Sequence, residues 1–422
     1  MDRVFHSVTL DKDKCKGCIN CMKHCPTEAI RVRDGKARIK TERCIDCGAC
    51  IRICQNRAKK AICDDFDMIN DYEWKVVLVP PSLYGQFIVD DINYILTALN
   101  HMGFDQVFEV STAAEKVSQL TRESLDQLRA CTEGPIISSA CTAVLRLIKV
   151  RFPDLCNNVL PITEPIHISA QMAKEEALRK TGLPSEKIGV FFISPCPAKV
   201  TSCKNPVGGI KSMIDGVFSV NDIYVKLLAA LKKVDIPEQL MRSGIVGINW
   251  AQSGGECAGL LTDSYIYADG IENVIDVLEE IEDGKLPDTA FVELSACPGG
   301  CVGGVLNVAN PFVARSRITA LRRYLPLMLS RGFNDASNMF WEQNLQFEAT
   351  FRLDEDRAEA MKKMRRLKAI ESMLPGLDCG ACGAPSCRAL AEDIVCGHAT
   401  IEECVFKNIA DKREDKSADD KQ

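Results

Sequence analysis

Two textures alternate along this chain. Up to residue 73 the apolar positions are short and broken, interleaved with cysteines; beyond it, apolar runs of strand length alternate with stretches of helical periodicity. Residues 74–80, 106–110, 134–137, 188–193, 244–248 and 289–294 read as short buried strands, because continuous apolar runs of this length suit strands covered on both faces. Residues 91–102, 143–152, 169–181, 221–233 and 273–282 carry the helical period between them. Strand and helix in succession predict an α/β fold of parallel sheets flanked by helices. Ligands in such sheets bind beyond the carboxyl ends of the strands, where the topology switches.

The 22 cysteines give this frame its chemistry. Cys15-Lys-Gly-Cys18-Ile-Asn-Cys21-Met-Lys-His-Cys25 and Cys44-Ile-Asp-Cys47-Gly-Ala-Cys50-Ile-Arg-Ile-Cys54 are both C-x2-C-x2-C-x3-C runs, the pattern of a two-cluster bacterial ferredoxin. In that arrangement Cys15, Cys18, Cys21 and Cys54 hold one 4Fe-4S cube, and Cys44, Cys47, Cys50 and Cys25 the other. Zinc is the alternative for paired cysteines, but two four-cysteine runs suit paired cubes far better than separate tetrahedral sites. A third group, Cys379, Cys382, Cys387 and Cys404, lies near the end. Ser386 and Cys387 open a helix there whose amino terminus favours a negative cluster, with zinc again the alternative.

The middle group is dispersed. Cys141, Cys196, Cys297 and Cys301 each follow an apolar strand run, so strand ends can deliver four thiolates to one cube. The remaining six cysteines, Cys63, Cys131, Cys156, Cys203, Cys257 and Cys396, read mostly as small buried apolar side chains. A net charge of −6 gives no basic footprint for nucleic acid, no run of eighteen apolar residues predicts a membrane span, and no export signal is visible near the start. The expectation is a cytoplasmic protein with no nucleic-acid and no membrane partner. Four segments are expected: 1–73 ferredoxin-like and α+β, 74–350 catalytic, 351–372 a linker helix, and 373–422 a small 4Fe-4S domain ending in a charged, disordered tail from 410.

At the middle cysteines the chain resembles the catalytic domain of the FeFe hydrogenases. The family motifs T-S-C-C-P, M-P-C-x-x-K-x-x-E and E-x-M-A-C-x-x-G-C-x-x-G-G correspond to Ser138-Ser-Ala-Cys-Thr142, Ser194-Pro-Cys-Pro-Ala-Lys-Val-Thr-Ser202 and Glu293-Leu-Ser-Ala-Cys-Pro-Gly-Gly-Cys-Val-Gly-Gly304. The resemblance implies reversible conversion of H2 to two protons and two electrons at an H-cluster in the crevice between lobes. It implies that Cys141, Cys196, Cys297 and Cys301 hold a 4Fe-4S cube and that Cys301 also bridges to a diiron subsite carrying CO, cyanide and an azadithiolate. Ala140, Ser194, Pro195 and Ser295 would surround that subsite, with Lys199 donating to a cyanide. Implied partners are H2 and protons, a ferredoxin or signalling protein as redox partner, and hydrogenase maturation proteins, with a homodimer allowed.

The departures carry information as well. Ala140 stands where productive members place a proton-relaying cysteine, Ser202 where a glutamate is expected, and Ser118 where a second relay acid is expected beyond Glu115. Ser194 and Ser295 replace methionines beside the subsite. These changes resemble the sensory hydrogenases, slow enzymes that report hydrogen or redox state. Glu256 and Glu293 are the candidates for a substitute proton route. An ordinary bidirectional enzyme with a rerouted proton path is one rival reading. A cubane-only electron-transfer or cluster-carrier protein is another.

Overall fold

A computed structural model describes residues 5–330 and 339–407. The chain forms two units, each discontinuous in sequence. The first comprises residues 1–7, 45–48 and 62–347, and the second residues 8–44, 49–61 and 348–422. Neither coincides with a single sequence segment. The expected tail from 410 lies outside the described residues.

The second unit is built on two antiparallel pairs. Strand β1 (Val8–Leu10) pairs along its length with β4 (Lys59–Ala61), while β2 (Ile30–Arg33) and β3 (Lys36–Ile39) form a hairpin. Asp34 and Gly35 both have positive φ in its two-residue turn, the backbone that a tight hairpin requires and that Asp-Gly supplies. Helix Arg357–Met373 packs through Leu367 and Ile370 on helix Cys387–Val395. A charged helix thus lies where the sequence predicts one, packed within this unit. Residues 8–44 and 348–407 are tied together in this unit. Buried Asp393 accepts from Arg31 (2.7 Å), Arg33 (3.1 Å) and Lys40 (2.9 Å), and the backbone N–H of Val32 donates to Gly383 (2.9 Å).

The first unit carries the α/β architecture. Strands β5 (Trp74–Val79), β6 (Gln106–Glu109), β8 (Ile188–Ser194) and β9 (Gly216–Ser219) form a parallel sheet in the order β6-β5-β8-β9. Strands β7 (Ile136–Ile137), β10 (Tyr265–Asp269) and β11 (Phe291–Ser295) form a second parallel sheet in the order β10-β11-β7. Val76 to Val79 and Val190 to Ile193 are fully buried, which is why these runs are apolar without alternation.

One strand expectation is corrected. Residues 244–248 are not a strand: Ile245–Asn249 is a short helix packed on helix Val110–Ala130. Its apolar run is buried by helix packing instead, and three apolar residues among two glycines carry too little periodicity to separate the two cases. Gly247 lies so close to the Ser111 carbonyl that a side chain would not fit. No described helix is long and apolar enough to cross a membrane.

Candidate active site

Three strand ends of the first unit deliver the middle cysteines. After β7 the chain runs through Ser138, Ser139 and Ala140 to Cys141, the N-cap of helix Thr142–Arg151. After β8, Cys196 caps helix Pro197–Lys204, whose Pro197 suits a first helical turn because its missing N–H has no helical partner to lose. After β11, Cys297 and Cys301 flank Gly299 and Gly300, both with positive φ. A Cβ on Gly304 would collide with the Pro195 carbonyl, so this glycine allows the Cys301 and Cys196 turns to touch.

The four thiols are brought together. Burial pushes the Cys196 thiol well up and the nearby Cys297 and Cys301 add to the rise, while Lys199 opposes it. Burial likewise raises Cys301 to about 11, opposed by Lys199 and reinforced by Cys141. Such thiols suit a metal site, where a bound cation removes the proton that burial otherwise retains. Beside them lies a cavity of about 70 Å3, several times the roughly 10–15 Å3 one water needs. Cys141, Cys301, Ala140, Pro195, Lys199 and Ser295 line it, among apolar neighbours such as Phe192 and Leu294. Ser194 instead turns inward, its hydroxyl donating to the Cys196 carbonyl at 2.9 Å and bracing the turn.

Two buried carboxyls also line the cavity, Glu256 and Glu293. Burial raises both, and their mutual repulsion adds to the effect on Glu256. Glu293 accepts from the backbone N–H groups of Gly254 and Cys257, each at 2.9 Å, which favours its charged form. Glu256 has only the Ser138 hydroxyl, 2.5 Å from Oε2, and its Oε1 has no partner. The shared proton therefore belongs on Glu256.

The departures noted in the sequence have structural counterparts. Glu115 is fully engaged as a brace, accepting from the N–H groups of Gly244 (2.5 Å), Leu329 (3.1 Å) and Ser330 (2.7 Å). Ser118 accepts from the indole of Trp250 at 3.0 Å, and Trp250 itself lines the cavity. Glu164, which the sequence did not single out, is buried beside Lys199, 3.1 Å from its Nζ. Burial works against the Lys199 ammonium, but Glu164 first and then Cys301, Cys196 and Cys141 hold its pKa above the ordinary value. Nothing in the Thr-Glu-Pro run around Glu164 marks it beyond a carboxylate at a helix start.

In the second unit, Cys15, Cys18 and Cys54 gather around Cys21. Burial pushes the Cys21 thiol up, Lys59 opposes it, and those three add to the rise. Cys25 acts in the same way on Cys50, which burial raises to about 12. The N–H groups of Ala37, Ala29 and Ala58 point at the sulfurs of Cys15 (3.4 Å), Cys25 (3.2 Å) and Cys54 (3.2 Å), the contacts that stabilise cluster thiolates. Cys44 also lies in this unit and Cys47 in the first. Near the end, Cys382 has Cys379 and Cys404 as neighbours, and Cys387 sits in the same small core. Ser386 caps helix Cys387–Val395 through the N–H of Ala389 (3.1 Å), as its sequence predicts. Of the leftover cysteines, Cys156, Cys203 and Cys257 are buried, Cys63 and Cys396 are intermediate, and Cys131 is exposed, which departs from the general expectation of burial.

Comparison with known proteins decides the family. The family described as iron only hydrogenase large subunit, C-terminal domain, matches residues 75–240 and 256–305, just over half of the chain. The chain belongs to the iron-only hydrogenase family. A 4Fe-4S dicluster family matches residues 7–55 and an Fe-S cluster family residues 374–406, so iron–sulfur modules flank the hydrogenase region in sequence. The HndD subunit of the NADP-reducing hydrogenase of Solidesulfovibrio fructosivorans is 23% identical over 373 residues, covering 71% of this chain and 64% of that protein. Iron hydrogenase 1 of Clostridium pasteurianum is 22% identical over 382 residues, covering 72% and 65%. The chain thus spans just under two thirds of the length of these hydrogenases. A solved variant of the apo FeFe hydrogenase from Chlamydomonas reinhardtii aligns over 69% of this chain and 88% of its own, at 15% identity and a TM-score of 0.47.

Proposed function

We propose that this chain interconverts H2 with two protons and two electrons, slowly and in a sensory role. The residues fit an H-cluster: four thiols converge at strand ends, a lysine ammonium faces an otherwise largely apolar cavity, and glycines permit close backbone approach. Cys141, Cys196, Cys297 and Cys301 would hold a 4Fe-4S cube, with Cys301 shared with a diiron subsite bearing CO, cyanide and an azadithiolate. That unit, when bound, supplies the heterolysis of H2 and the electron transfer.

The protein supplies the remainder. Lys199 offers N–H donors at the cavity wall, and the apolar lining excludes bulk water. Ala140 holds no proton. Glu256, retained in its protonated form by burial, is placed to exchange one with the cavity, and Glu293 to pass it onward. The glycine turn that binds Glu293 also walls an open polar depression lined by Gln252, Ser253, Gly254 and Arg322, which gives the route an outlet to solvent. Cys15, Cys18, Cys21, Cys25, Cys44, Cys47, Cys50 and Cys54 are proposed to hold two further cubes, and Cys379, Cys382, Cys387 and Cys404 a fourth. A redox partner and the family's maturation proteins would complete the system.

The observation that carries this reading is the buried Glu256–Glu293 pair on the same cavity as Ala140 and Cys301. It is tested on fully matured protein by infrared spectroscopy together with hydrogen uptake and evolution. CO and cyanide bands are expected, and Glu256→Gln and Glu293→Gln should each lower turnover by about 10²–10⁴-fold with the bands intact. Absent bands would overturn the cofactor reading, and unchanged rates in both variants the proton route.

A further inference from the structure

The ammonium of Lys199 sits in a socket rather than at the end of a free side chain. It donates to the Ala140 carbonyl at 3.0 Å and to Glu164 Oε2 at 3.1 Å. The Thr142 hydroxyl lies 3.0 Å from both oxygens of that carboxylate, and the Ser202 hydroxyl 3.2 Å from Oε1. Ser202 in turn accepts from His167 Nε2 at 3.1 Å, a tautomer assigned from the hydrogen-bond network. Glu164 directly precedes helix Pro165–Thr181, where the helix dipole favours negative charge. It is buried, accepts from several donors, and does not line the cavity.

We propose that Glu164 is a positioning residue that fixes the Lys199 ammonium at the cavity wall, supplying from another part of the chain the carboxylate absent at Ser202. The reasoning is geometric. Residues three apart on a helix share a face, so a glutamate at 202 could reach Lys199 from within helix Pro197–Lys204. A serine there is too short for this. Its hydroxyl is already within hydrogen-bond distance of Glu164, so a second carboxylate at 202 would share the same space. Two adjacent buried carboxylates cannot both stay ionised. The socket has room for one carboxylate, from either position, with serine as its counterpart. Glu164 therefore acts through Lys199 and not on the reacting atoms.

This inference rests on the reading of the cavity as the seat of a cyanide-bearing unit, and its test separates the two. Matured E164Q, S202E and the exchange variant E164S/S202E are compared with the native protein by infrared spectroscopy, with iron and sulfide content measured alongside. Crystal structures of the cofactor-free forms give the position of Lys199. E164Q is expected to shift or broaden the cyanide bands and to release Lys199 from the Ala140 carbonyl. S202E should also perturb both, whereas the exchange variant should return them to native positions. Native bands and a native Lys199 in E164Q would overturn the proposal. Should E164Q fail to fold, the exchange variant decides: native bands support the relocated carboxylate, and displaced bands overturn it. Should the native protein show no cyanide bands, the cofactor reading falls, and the placement of Lys199 in crystals still decides the role of Glu164.

Discussion

Glu256 shows how little of a residue's role is written in its own identity. Its carboxyl is raised by burial and then by Glu293, so the folded protein retains a proton that the unfolded chain releases in the ordinary glutamate range, near 4.3. Between that range and the raised folded value the native state binds more protons than the unfolded state. Stability must then fall as pH rises through this window. Glu256→Gln removes the dependence, so its thermal midpoint should match the native protein near pH 4 and exceed it increasingly above. The expected gain is about 1.4 kcal/mol per pH unit within the window, checked by melting at a series of pH values. Ala140 gives the second residue-scale prediction. Ala140→Cys places a thiol on the cavity wall, and if proton delivery limits turnover, hydrogen evolution with a strong electron donor should rise by about tenfold or more. A native rate already equal to that of vigorous hydrogenases under the same donor and pH would remove the basis for the slow, sensory reading. Glu164 was not legible at this scale, because what matters about it is a lysine 35 positions away.

At the scale of elements, legibility follows burial where the apolar run is long enough. Strand β9 is buried throughout, but Gly216 and Ser219 leave it only two apolar positions and it was not legible. Strands β5, β8 and β11 were readable because both faces are covered and nearly every position is apolar. Strand β10 was not: it is an edge strand in which every residue retains partial exposure, and its apolar run, Tyr265 to Ala268, is only four residues long. The run at 244–248 was misread for the opposite reason: a short helix buried against its neighbour can be as apolar as a strand. Cysteines at the ends of β7, β8 and β11 were legible together, since three strand ends on one side of parallel sheets have few places to go. The contact between their turns makes a prediction. Gly304→Ala leaves the backbone angles acceptable, with φ at −57°, but drives a methyl into the Pro195 carbonyl. Separating the Cys196 and Cys301 turns should cost about 1–3 kcal/mol and deplete iron at the central site, read by denaturation and by iron and sulfide analysis. Native stability with full iron would show that the two turns tolerate separation.

At the scale of the whole molecule, the second unit joins segments that the sequence presents as unrelated. Spacing groups the cysteines, but it cannot reveal that residues 8–44 and 348–407 belong to one unit. Asp393 is the clearest sign. Burial alone would raise its pKa, yet Arg31 and then Lys40 hold it below the usual value. Its stabilising contribution is complete above the unfolded aspartate value near 3.9 and is lost as pH falls from there through the lower folded value. Asp393→Ala strands Arg31 beside Arg33 and Lys40, and should cost about 3–5 kcal/mol, read as a lowered unfolding midpoint at neutral pH that converges with the native protein in acid. An unchanged midpoint would show that solvent compensates those cations. The same ion cluster also sets an order of events during synthesis. Arg31 and Asp393 are 362 positions apart, so at about 5–20 residues per second the ribosome needs roughly 20–70 s to make the acid that neutralises the first cations. Until then Arg31, Arg33 and Lys40 lack the carboxylate that they share in the finished fold.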